Sequence, residues 1–377
     1  MALGLSMGMI WDNVPSPAVQ PCNGPLNIDD CILWYDFTDG STIHNTLSPF
    51  VSDQAANGER IARVDNKAQG SDRLSTFLAG NWQGVDYTWG SALSASADKV
   101  PLFETGGVNS LSYLHFDGAR ADEPVGMFSS DRHNENSGTN AVWYGGYGSD
   151  ANGGYLYQGN GMEIGGQNAL TGHRNVFSNA VINTHAFTFF VVWDPNTANI
   201  NNTNSGANGH IFSFGPDSTD ISGAGGGAND DRPYVKLLYN SSTDKIRMAY
   251  KPGFNDGNTL VSTGGAAQQY GIPIVNAPQI FVGKMYSGTN GFSLKQISGS
   301  GGSTVVTKTS TVPNSSPYLQ DLNMVSGRFQ IGTWSLWSGH KVDTSPTGHL
   351  YEMVMYNKVM SDEELECAEN YLINKYL

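Results

Sequence analysis

Apolar positions along the chain come in short alternating runs separated by long polar stretches, which is the pattern of strands joined by loops. The run 31–37, Cys-Ile-Leu-Trp-Tyr-Asp-Phe, predicts a first strand. Residues 111–117 alternate and close on Gly118, a strand ending in a turn. Residues 187–193, Phe-Thr-Phe-Phe-Val-Val-Trp, are apolar on both faces, as a strand covered on both sides must be. Between 234 and 250 the pattern is that of a hairpin. Val235, Leu237 and Tyr239 line one face, Ile246, Met248 and Tyr250 match them, and Asn240 to Asp244 supply the turn. A second hairpin pairs 292–297 with 304–308 across a Gly/Ser tip, and further strands fit 279–285, 328–334 and 349–356. One helix is predicted, at the end. Ser361 with Glu364 reads as a capping box, and Leu365, Ala368, Leu372 and Tyr376 fall on one stripe. No period of 20–50 residues recurs, which argues against a propeller or solenoid.

Other segments lack such patterning. Residues 1–26 combine Met, Gly and Trp11 with Pro15, Pro17, Pro21 and Pro25, a density that denies a sheet its amide donors. They read as an extended N-terminal arm. Within it Met7, Met9, Ile10 and Trp11 are candidate anchors for a neighbouring subunit, since methionine adapts to irregular surfaces and tryptophan serves as an interface hot spot. Stretches near 40–110 and 119–186 hold few strand-like runs and read as surface insertions. The organisation expected is therefore an arm, 1–26, and one β-sandwich, 27–377, carrying those two insertions.

Composition supports a loop-rich β protein. The chain has 377 residues with 46 glycines, and only 14% are charged, against about 25% in an average domain. Aromatic residues are too frequent for general disorder. The net charge of −14 shows no basic face for nucleic acid and disfavours anionic membranes. No run approaches the roughly 18 apolar residues of a membrane-spanning helix. The first ten residues lack a basic start and a small-residue cleavage site, so no secretory signal is expected unless one has been removed. Cys22, Cys31 and Cys367 make no disulfide framework and are expected to be three free thiols; Cys22 and Cys31 are the pair that oxidation would close.

Both ends of the chain resemble one family. Gly348-His-Leu-Tyr-Glu-Met-Val-Met-Tyr-Asn357 leads through Lys358-Val-Met-Ser361 into a helix ending Tyr371-Leu-Ile-Asn-Lys-Tyr-Leu377. This is similar to the last strand and closing helix of laminin-G-like, concanavalin-A-like jelly rolls, with Met360 where that family usually carries Leu. Leu33-Trp-Tyr-Asp-Phe-Thr-Asp39 resembles the opening strand, and Leu114-His-Phe-Asp-Gly118 a following one. The resemblance implies an all-β, concanavalin-A-like antiparallel sandwich with one short C-terminal helix. It does not select a function, because this sandwich carries lectins, glycosidases, adhesion modules and virion proteins.

The glycosidases of that superfamily place Glu-x-Asp-x-x-Glu on a strand so that its carboxyl groups share a cleft. No Glu here has an Asp two positions later, and Glu352 reads as a structural strand carboxylate. Gly4-Leu-Ser6-Met-Gly8 matches a nucleophile elbow without the strand and helix that the elbow needs. Gly223 to Ala228 is followed by Asn-Asp-Asp-Arg-Pro rather than a helix, and the histidines show no metal-ligand spacing. No catalytic residue is therefore assigned, and the chain is expected not to be an enzyme. Asp36 and Asp39 are candidate calcium ligands, although both residues also suit turns. Trp143, Tyr144 and Tyr147 form an aromatic–glycine stretch suited to stacking on a sugar or to packing beneath an insertion.

Three function classes follow. The first is a virion structural protein, a capsid decoration or fibre component of a tailed phage, assembled in the host cytoplasm as a homo-oligomer against the major capsid protein or other virion subunits. The second is an extracellular adhesin that binds cell-surface carbohydrate. The third, a glycan-active enzyme, lacks the acidic strand motif.

Overall fold

The computed structural model describes residues 23–45, 54–61, 63–69, 77–79, 101–117, 127–130, 141–143, 157–159, 187–195, 208–216, 234–240, 245–251, 261–262, 271–285, 292–310, 327–332, 347–356 and 358–377. These form an antiparallel β-sandwich closed by one helix. The first sheet runs β19 (Thr304–Ser310), β18 (Phe292–Ser298), β17 (Gln279–Met285), β11 (Phe187–Pro195), β21 (Thr347–Tyr356), β7 (Tyr113–Asp117), β6 (Leu102–Glu104), β3 (Glu59–Arg60). In addition β1 (Cys31–Asp36) pairs with β21.

The second sheet runs β15 (Val261–Ser262), β14 (Lys245–Lys251), β13 (Tyr234–Asn240), β12 (Asn208–Pro216), β20 (Gly327–Ile331), β8 (Met127–Ser130), β5 (Phe77–Ala79), β4 (Arg63–Val64), β2 (Ile43–His44). Here β16 (Ile272–Pro273) pairs with β14. A separate ribbon joins β9 (Ala141–Trp143) to β10 (Tyr157–Gly159).

The hairpins expected from alternation form with the matching register. Leu237 faces Met248 and Tyr239 faces Ile246 across β13 and β14, and all four are buried. The stretch 40–110 contributes more than its pattern suggests. It supplies the short strands β2 to β6, and Ile43, Ile61, Val64 and Phe103 lie in the core. Strands of two or three residues are too short for a period-2 signal, so their burial is decided by what packs over them.

Strand β11 lies between β17 and β21 and is covered on both faces, as its unbroken apolar run requires. Phe189, Val191 and Trp193 point between the sheets, where Phe189 meets Phe212 of the second sheet edge-on at 4.8 Å. Phe190 and Val192 point to the outer face. That face is covered by α1 (Asp362–Tyr376), whose capping box joins Ser361 and Glu364. Leu365, Ala368, Leu372 and Tyr376 are buried against Val354, Tyr356 and Ile280. Each large side chain buried there contributes roughly 1.5–3 kcal/mol. The order of layers is second sheet, first sheet, helix.

Cys367 on α1 is disulfide-bonded, which corrects the expectation of three free thiols. Cys31 is free, and burial pushes its thiol up to about 12.

Candidate functional site

Two clusters of charged side chains stand on the outer face of the first sheet, one closed and one open. They meet at a bulge in β21. Glu352 pairs with Val192 of β11 and Leu350 with Trp193, so Tyr351 is the extra residue. A bulge breaks the two-residue alternation, and here Tyr351 and Glu352 both face outward. At the same point the strand beside β21 changes from β7 to β1.

The closed cluster lies under α1. Glu352 is buried and accepts hydrogen bonds from Trp34 Nε1 at 2.7 Å, Tyr376 Oη at 2.6 Å and Lys375 Nζ at 2.8 Å. Lys375 also donates to Asp36 at 2.9 Å. Lys67 Nζ lies 3.1 Å from Asp36 and 3.0 Å from Asp39, and 4.3 Å from the centre of the Trp34 ring. Burial alone would push the Asp36 carboxyl up, but the Lys375 and Lys67 ammonium groups and the Thr38 hydroxyl hold it below the usual range. Burial pushes Glu352 up, reinforced by the Asp36 charge and opposed by Lys375 and Tyr376. Asp36 and Asp39 do converge, as calcium ligands must, but the cation between them is the Lys67 ammonium. Glu352 is structural, as its isolation in sequence suggests, and its partners are the helix and Trp34.

The open cluster runs beyond the end of the helix across four adjacent strands. Asp194 of β11 pairs with His349 of β21, and His349 pairs with His115 of β7. His115 pairs with Leu102 of β6, and Glu104 stands two residues along on the same face. The polar atoms follow the same order. Asp194 Oδ2 is 3.9 Å from His349 Nδ1, the two imidazole rings are 5.4 Å apart, and His115 Nδ1 is 4.0 Å from Glu104 Oε2.

Tyr113 and Tyr351 pack beside this row, the Tyr113 ring 4.2 Å from His349, and the Tyr113 hydroxyl donates to Glu104 at 2.8 Å. Tyr351 Oη accepts from the Val108 amide at 3.1 Å. A Cβ on Gly107 would lie 2.6 Å from that oxygen, so only glycine admits the approach. Gly348 is constrained in the same way by Trp193, whose inward packing leaves the next side chain, Asp194, outward.

Among the described residues the row is only partly satisfied: Glu104 accepts from Tyr113, while Asp194 and His115 Nδ1 lack hydrogen-bond partners. The gap from Asp194 to His349 exceeds hydrogen-bond length, and no closer partner for the Asp194 carboxylate exists among the described residues. His115 Nδ1 is buried and has no hydrogen-bond partner among them. Burial pushes Asp194 up to about 6. Burial and the neighbouring His115 push His349 down to about 4, against the pull of Glu104. Near neutral pH the row therefore offers an ionised Asp194 beside a neutral His349. Half-buried groups with shifted pKa values make this row the candidate site.

Sequence reasoning did not single out these four residues. Each is one polar position in a strand, and only the register of β11, β21, β7 and β6 aligns them. Of the residues it did single out, Met7, Met9, Ile10, Trp11, Tyr144 and Tyr147 lie outside the described residues. Trp143 ends β9 opposite Tyr157, and its side chain is outside them too.

No protein-family profile matches the chain, and no curated protein sequence matches it. Solved structures similar in fold include a tailspike protein of an Escherichia coli bacteriophage, at 10% identity and a TM-score of 0.38, over 78% of this chain and 27% of that one. A sialidase of Trypanosoma rangeli matches at 10% identity and 0.34, over 92% and 33%. The LG1-3 region of the laminin alpha2 chain matches at 12% and 0.29, over 48% and 29%. The chain spans a third or less of each of these three. The likeness lies in fold and at these scores carries no argument about substrate. It does correct one expectation. Several of the similar structures are sialidases, and another is the enzymatically active domain of a tailspike. A missing strand motif is therefore no ground for calling this sandwich non-enzymatic, and that expectation is withdrawn.

Proposed function

We propose that the chain is a virion surface protein, a capsid decoration or fibre component, that engages glycans through the row Asp194–His349–His115–Glu104. The observation that carries the glycan reading is the row itself, in which Asp194 and His115 Nδ1 have no hydrogen-bond partner among the described residues. Carboxylates, imidazoles and tyrosines are the donors and acceptors that hydroxyl-rich ligands take, and here they stand together on a face otherwise covered by α1. The low charge and Gly-rich polar loops fit a particle protein, and particle attachment falls in this reading to the arm residues Met7, Met9, Ile10 and Trp11. A second reading, an exported adhesin, is favoured by the disulfide at Cys367, because cytoplasmic thiols stay reduced.

The test is binding of the intact chain to immobilised bacterial surface polysaccharide, beside the double variant His115→Ala/His349→Ala. Binding by the unmodified chain and its loss in a variant that still melts cooperatively is the expected result. Equal binding by both, or by neither, removes the row from the function. Assaying the bound polysaccharide for new reducing ends decides whether contact leads to cleavage.

A further inference from the structure

The closed cluster holds the parts of a condensation that needs no cofactor: an amine, a carboxyl and a buried proton carrier. Lys375 Nζ lies 2.9 Å from Asp36 Oδ1 and 2.8 Å from Glu352 Oε2. The Asp36 carboxyl carbon is one bond beyond Oδ1, so amine and carbon stand close to attacking distance. The site is enclosed. The Glu352 side chain is 0% exposed, Asp36 7% and Lys375 19%. The rings of Tyr371 and Tyr376 lie 5.5 and 5.2 Å from Lys375 Nζ. Taking two charges out of water is costly, and an amide at the same place carries none.

Two lysines touch Asp36, and the carboxyl groups behind them differ. Behind Lys375 stands Glu352, which burial pushes up, so it takes a proton readily. Behind Lys67 stands Asp39 at 3.0 Å, where Ser41 and Lys67 outweigh burial and hold the carboxyl low. Burial would lower Lys67, but Asp36 and Asp39 hold it above its usual range. Lys67 therefore keeps its proton. Its ammonium sits 3.1 Å from Asp36 Oδ2, where negative charge grows when the carbon is attacked. Thr38 Oγ1 donates to Oδ1 at 2.6 Å and fixes the plane of the carboxyl.

We infer that Lys375 and Asp36 condense to an amide, a cross-link between the closing helix α1 and the first strand β1, with Glu352 carrying the proton. Glu352 takes one proton from the Lys375 ammonium, and the free amine attacks the Asp36 carboxyl carbon. A second amine proton passes to Oδ1, Glu352 returns the first, and Oδ1 leaves as water. The third proton stays on the amide nitrogen, and Oδ2 becomes the amide carbonyl. Glu352 ends ionised, as it began. The hydrogen bonds of Lys375 described above are those of the chain before closure. Unlike a disulfide, the amide survives reduction, so it serves a particle assembled in the cytoplasm and an exported adhesin alike.

The test is the mass of the intact chain, reduced and denatured after incubation at neutral pH. A mass one water below that of the sequence is expected, with fragmentation placing the loss on a branched peptide that joins Asp36 to Lys375. Lys375→Arg keeps a cation without a nucleophilic amine and should restore the full mass. Glu352→Gln removes the proton carrier and should slow closure by about a hundredfold or more. The unmodified chain decides alone if either variant fails to fold: a full sequence mass, or a branch at Lys67, overturns the inference. A water loss that persists in Lys375→Arg marks cyclisation of an aspartate and overturns it too.

Discussion

Asp194 combines a half-buried carboxylate with no hydrogen bond among the described residues, an arrangement that costs stability when the group is ionised. Its folded pKa of about 6 lies above the ordinary 3.8, so the folded state holds the proton more tightly than the unfolded chain. Stability therefore falls as pH rises through roughly 4 to 6 and stays lower above that window. Asp194→Asn should raise stability at pH 7 by about 1–2 kcal/mol, after allowance for partial exposure, while weakening polysaccharide binding. Denaturant melts at pH 4 and pH 7 check this, since the gain should vanish at the lower pH. A loss of stability at pH 7 would mark Asp194 as structural. Asp36 and Asp39 call for a different experiment. With the Lys67 ammonium already between them, excess chelator should leave the melting temperature unchanged; a fall of several degrees would show a metal there.

Helix α1 is held by two kinds of contact, an apolar stripe and the ammonium of Lys375. The stripe and its capping box are legible in sequence because a 15-residue helix repeats its period several times. The ion network is not, because Lys375, Asp36, Glu352 and Lys67 come from four distant segments. Removing one partner of a buried network leaves the others uncompensated, so Lys375→Met should cost about 3–5 kcal/mol in denaturant unfolding. Ser361→Ala, which removes only the cap, should cost about 1 kcal/mol. Equal losses for the two would mean that the network contributes little beyond solvated charges. The depressed Asp36 carboxyl sets the acid limit. Its contribution is present above its ordinary value of 3.8 and is lost as pH falls below it through the folded value.

For the whole molecule, the disulfide at Cys367 adds a covalent tie to the noncovalent closure by α1. Mass spectrometry of unreduced peptides should recover the Cys367 peptide in disulfide linkage. Reduction should then lower stability by up to about 5 kcal/mol in the chain-entropy picture. Recovery of three alkylated thiols from native, unreduced protein would remove the tie.

Local pattern determined most of the sandwich. The doubly apolar run 187–193, the matched faces of the 234–250 hairpin and the capped terminal helix carry their burial in their own periodicity, because neighbours in sequence share one face or one stripe. The short strands within 40–110 carry no such period, and the partners around them decide their place. The open row is the extreme case. Asp194, His349, His115 and Glu104 are single polar positions with no mutual spacing in sequence. A bulge at Tyr351, the close approaches at Gly107 and Gly348, and the registers of four strands bring them side by side. Strand pairing acts between segments that sequence keeps far apart, so the fold was legible along the chain and the site was decided across it.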